Sequence, residues 1–132
     1  MKLFVEEQHS QAMRERGSAS GGLLVSQLTW AEMCAGLARK QRMGEVEAQI
    51  TAKALEELRD QWPRYGKLPV NEQLINSAGE LALRFGLRAY DSVQLASAHQ
   101  AQLQLGDRLL FCCFDKQLNA AANALAMATL EA

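Results

Sequence analysis

Aromatic residues make up only 6% of this 132-residue chain, with two prolines and three cysteines. Scarce rings predict an interior built from Ala and Leu, chiefly in helices. Cysteine this sparse excludes a disulfide scaffold. Cys112 and Cys113 adjoin in an apolar run where strand geometry would send them to opposite faces. Reduced thiols predict a cytoplasmic protein. No apolar run approaches the ~20 residues of a membrane span, and residues 1–16 are too charged for a signal peptide. Neither charge dominates: 14 Lys and Arg against 15 Asp and Glu leave a formal net charge of −1. That balance excludes a bulk electrostatic grip on nucleic acid, but not a local site that works on it. A Gly-rich phosphate loop, a Ser-centred nucleophile elbow and internal repeats are all missing. What is plentiful is apolar residue, at 48%. A chain of this size buries about 68% of its unfolded surface, enough for one domain over residues 1–132.

Short apolar runs alternate with longer amphipathic stretches. Residues 23–26 and 108–114 read as strands, the second with the continuous apolar character of a buried parallel strand. A short strand over 68–70 must lie at an edge, because Pro69 cannot donate to a ladder. Residues 127–131 add a last one. Helices are predicted over 28–42, 45–62, 71–85, 88–105 and 115–126, with breaks at Gly44, Pro63 and Gly86. This order implies an α/β protein with a parallel sheet covered on both faces. Residues 3–16 read as a polar helix closed by Gly17. The chain therefore opens without the strand that such a sheet normally places at its middle.

Four aspartates occur: Asp60, Asp91, Asp107 and Asp115. Asp60 belongs to the solvent side of a charged helix and Asp107 to a turn. Asp115 ends a parallel strand and heads a helix, where ligands bind in open α/β sheets; it is equally well placed as a helix N-cap. Asp91 falls in the first turn of its helix among Tyr90, Val93, Leu95 and Ala96. A carboxylate there gains from the helix dipole, and its apolar neighbours place it near the interior with Arg88 as the nearest cation. Glu32 fits the capping box Thr29-Trp30-Ala31-Glu32, though Trp30 and Met33 flank it as at a buried helix start. Three converging carboxylates would repel one another unless a cation compensates. Mg²⁺ or Mn²⁺ suits an all-oxygen set, and such an ion activates water for phosphodiester hydrolysis. His9 and His99 lack a second ligand one turn away and read as structural. Arg39, Lys40 and Arg42 complement a helix C-terminus more simply than they contact RNA.

The segment Gly86-Leu87-Arg88-Ala89-Tyr90-Asp91-Ser92-Val93-Gln94-Leu95-Ala96 resembles the core motif of PIN domains, especially VapC-type toxins of bacterial toxin–antitoxin pairs. Leu28-Thr29-Trp30-Ala31-Glu32 and Phe114-Asp115-Lys116-Gln117-Leu118-Asn119 resemble two further acidic motifs, in the family's order. The resemblance implies a three-layer sandwich, a short parallel sheet flanked by helices. It also implies a Mg²⁺- or Mn²⁺-dependent endoribonuclease in which Glu32, Asp91 and Asp115 serve as catalytic and metal-binding residues. RNA would be the substrate, an antitoxin the protein partner, and a homodimer the common assembly. In the family a central strand ending in Asp precedes a segment like Met1-Lys2-Leu3-Phe4-Val5-Glu6-Glu7. The expectation is therefore a truncated domain lacking its central strand and first catalytic Asp, with the native start upstream. An intact mass matching 132 residues for the natural protein would refute that start. Two other functions compete: a catalytically impaired module that binds an antitoxin or another partner, and a plain α/β protein whose acids are helix caps.

Overall fold

The computed structural model describes residues 2–5, 23–106, 109–112 and 115–129. Five parallel strands form one sheet: β1 (Lys2–Val5), β2 (Leu23–Ser26), β3 (Gly66–Leu68), β4 (Leu109–Cys112) and β5 (Ala128–Thr129). Their order across the sheet is β3-β2-β1-β4-β5. Helices α1 (Leu28–Arg42) and α2 (Ala48–Gln61) lie between β2 and β3 in the chain, with a 3-10 turn at Trp62–Arg64. Between β3 and β4 run α3 (Glu72–Phe85) and α4 (Ala89–Leu105), and α5 (Lys116–Ala124) joins β4 to β5.

The opening of the chain corrects the expectation drawn from its sequence. Residues 2–5 are not the start of a polar helix, and the sheet has a central strand. Lys2 to Val5 supply it, pairing Leu3 with Leu23 on one side and with Leu110 on the other. The reason is tertiary. β2 and β4 each present a row of backbone donors and acceptors inward, and a segment as apolar as Leu3-Phe4-Val5 satisfies both rows at once. The remainder of the predicted helix, up to residue 16, lies outside the described residues, as do His9, Asp107 and Cys113.

Strand alternation divides the interior in two. On one face Leu24, Leu109 and Phe111 join the larger core with Leu74, Leu95 and Leu118 from the helices. On the other, Leu23, Val25 and Leu110 pack with Tyr65 and Trp62. Successive side chains on a strand point to opposite sheet faces, so β2 and β4 each feed both cores. This is the expected three-layer arrangement. β3 lies at Gly66–Leu68, earlier than the 68–70 expected, so that Pro69 falls just beyond the strand, and β3 sits at an edge of the sheet. Asn71 caps α3, accepting from the Leu74 N–H at 2.9 Å. Gly86 ends that helix at φ 67°, in the left-handed region that a side chain disfavours.

Candidate active site

All five strands run the same way, so their carboxyl ends share one edge of the sheet. Two acid-bearing helices start directly from that edge: α1 after β2 and α5 after β4. In open α/β sheets this is where ligands bind.

Asp91, in the first turn of α4, is 5% exposed. A buried carboxylate requires a compensating charge, and Arg88 supplies it through an Nε–Oδ2 contact of 3.0 Å. The arginine side chain itself remains 70% exposed. Hydrogen bonding to Asp91, reinforced by the charges of Asp91 and, further down, Asp115, holds the Arg88 guanidinium above its ordinary value.

Glu32 sits in the first part of α1, half-buried. It does not belong to a capping box. The helix starts at Leu28 with Gln27 as its N-cap residue, so Thr29 lies inside the helix. The Leu28 N–H donates instead to Ser26 Oγ at 3.2 Å. Thr29, 1% exposed, turns its hydroxyl inward, where Oγ1 accepts from Gln94 Nε2 at 3.2 Å. The same Nε2 donates to Glu32 Oε1 at 2.8 Å. Gln94 thus ties the acidic turn of α1 to α4, three residues on from Asp91.

Asp115 is half-buried and caps α5, with Oδ1 accepting from the Leu118 N–H at 3.1 Å. Its helix start lies beside that of α4. Gln117 Nε2 reaches the Phe85 and Gly86 carbonyls at 3.3 and 3.4 Å, and the Asp115 charge is felt at Arg88.

The structure therefore brings three helix starts together. It does not gather the carboxylates themselves: among the described residues, no three His, Cys, Asp or Glu side chains form a group able to hold a metal ion. Each acid is engaged by a neighbour, Glu32 by Gln94, Asp91 by Arg88 and Asp115 by the Leu118 amide. Each carboxylate is a hard oxygen donor of the kind a divalent cation takes, and Asp91 already has a counter-charge in Arg88. Sequence reasoning passed over Gln94 and Gln117. The available signal for Gln94 was a lone amide within Val93-Gln94-Leu95-Ala96, on the helix face of Asp91.

Asp60 is solvent-exposed and at most in a weak pair with Arg64 at 4.0 Å. His99 is half-buried on α4, and Cys34 is a free, half-buried thiol on α1. Arg39, Lys40 and Arg42 occupy the last turn of α1. A groove of about 150 Å³ between α3 and α4, lined by residues such as Leu74, Ser77 and His99, includes none of the three acids. No helix among the described residues is long and apolar enough to cross a membrane.

The PIN domain family profile matches residues 1–124. Among solved structures, PAE2754 from Pyrobaculum aerophilum is similar at 19% identity and a TM-score of 0.67. The match covers 98% of this chain and 89% of that one. FitAcB from Neisseria gonorrhoeae is similar at 17% identity and a TM-score of 0.60, covering 99% and 97%. At such identities the likeness speaks for the fold. No curated protein matches the chain.

Proposed function

The chain belongs to the PIN domain family, and from that membership we propose that it is a divalent-metal-dependent endoribonuclease, the toxin of a toxin–antitoxin pair. One observation carries the reading: three acid-bearing helix starts meet beside the carboxyl edge of the sheet. Gln94 links the Glu32 turn to α4, and Gln117 links the start of α5 to the start of α4.

Glu32, Asp91 and Asp115 would hold Mg²⁺ or Mn²⁺. Bound there, such an ion supplies the positive charge that eases deprotonation of water and offsets charge on a phosphodiester. The chain's own residues do the rest. Asp91 is fixed in a helix start and screened from water, beside the place where a cation is wanted. Arg88, mostly in solvent, is placed to meet phosphate oxygens of an RNA strand, which a guanidinium recognises in bidentate fashion. A site of this kind grips RNA locally, consistent with a net charge near zero. An antitoxin chain as partner, and a homodimer as assembly, rest on the motif resemblance to VapC-type toxins.

The test is cleavage of RNA by the purified protein with Mn²⁺, set against the Asp91→Asn variant. Cleavage that stops with the substitution or with chelator supports the reading. Unchanged cleavage and unchanged Mn²⁺ binding in Asp91→Asn would overturn it. A second reading, a catalytically impaired module that binds an antitoxin, is favoured by the lack of a three-acid metal group among the described residues. Tight binding of a small partner chain without any Mn²⁺ binding would select it.

A further inference from the structure

Resting on the nuclease reading above, we propose that Gln94 is the positioning residue of Glu32, holding that carboxylate against the face of α4 that carries Asp91. Gln94 is 0% exposed, in the run Val93-Gln94-Leu95-Ala96. A primary amide in such surroundings is unfavourable unless hydrogen-bonded. Its nitrogen is satisfied by two acceptors from a single turn of α1, Glu32 Oε1 at 2.8 Å and Thr29 Oγ1 at 3.2 Å. Its oxygen is not: Gln94 Oε1 is buried with no hydrogen-bond partner among the described residues.

A methionine of the same length would fill the space and remove the unsatisfied carbonyl, but it would also withdraw the donor shared by Thr29 Oγ1 and Glu32 Oε1. Packing therefore does not select an amide here. Carboxylate chemistry does. An amide N–H fixes the orientation of Glu32 while adding no positive charge, so the carboxylate keeps its full charge for a cation. A lysine or arginine in the same place would orient Glu32 equally well and neutralise it. Outer partners that orient ligand groups in this way are worth about 10–100-fold in metal affinity. Gln94 also lies three residues beyond Asp91 on the same helix face, so one rigid element sets the relation between two acids on different helices.

The experiment compares Mn²⁺ affinity and thermal unfolding of the wild type, Gln94→Met, Asp91→Asn, Glu32→Gln and the Glu32→Gln/Gln94→Met double variant. Gln94→Met is expected to bind Mn²⁺ about 10–100-fold more weakly. In the Glu32→Gln background it should cause no further loss, because Gln94 acts through Glu32. Wild-type affinity in Gln94→Met, alongside lost affinity in Asp91→Asn, would reduce Gln94 to a core residue and leave the nuclease reading standing. A full additional loss in the double variant would equally overturn it. Absence of Mn²⁺ binding by the wild type would end the nuclease reading and this role together. If Gln94→Met does not fold, Gln94→Asn decides, since it keeps the amide one methylene short of Glu32. Weakened Mn²⁺ binding then supports the role, and unchanged binding refutes it.

Discussion

Asp91 and Arg88 form a pair with unequal surroundings, one partner buried and the other largely in water. The guanidinium serves as the counter-charge of Asp91, so it competes with any cation that the carboxylate is meant to hold. Arg88→Gln is therefore expected to tighten Mn²⁺ binding, read by calorimetry, while weakening RNA binding, read by filter retention. The same measurement on Asp91→Asn should show Mn²⁺ affinity lost. This pair was legible in the sequence because three residues along a helix are neighbours, and Arg88 is the only cation within a turn. Gln94 was not legible as a partner of Glu32. Their hydrogen bond spans 62 positions, and no local pattern encodes a contact between turns of two different helices.

Individual elements were more legible than contacts. Helix ends fell within a few residues of the signals that announce them, with Asn71 before α3, Gly86 after it and Asp115 before α5. Such signals act through backbone groups close in sequence, which explains why they can be read there. The reading of Thr29 and Glu32 as a capping box failed because the helix starts at Leu28 and Gln94 engages both side chains. At Asp115 the cap and the candidate ligand coincide, and substitution separates them. Asn caps as well as Asp, so Asp115→Asn should retain stability while losing Mn²⁺ affinity. Asp115→Ala should lose both, with about 1 kcal/mol of stability gone. Thermal unfolding beside Mn²⁺ titration checks the pair of outcomes. Gly86→Ala carries the opposite signature: about 1 kcal/mol lost to the left-handed backbone at φ 67°, with the acids unaltered.

For the molecule as a whole, the alternation of strands and helices fixed the class of fold but not the centre of its sheet. A short apolar run followed by Glu6, Glu7 and Gln8 has the local look of a helix, and only the unsatisfied flanks of β2 and β4 make it a strand. That information is not local to residues 2–5. Leu3→Pro removes a backbone donor from the central strand, which is paired on both sides. It should destabilise by at least about 1 kcal/mol in denaturant unfolding, and light scattering should detect association through the loosened edges.

The position of β1 also bears on the birth of the protein at the ribosome. Leu3 can meet Leu23 soon after both leave the exit tunnel, but its other neighbour, Leu110, emerges much later. Until then the nascent chain carries an open strand flank and lacks the Asp115 turn. Folding is accordingly dominated by a late, long-range closure of the slow kind. The centre of the sheet therefore stays incomplete until the β4 segment has been made.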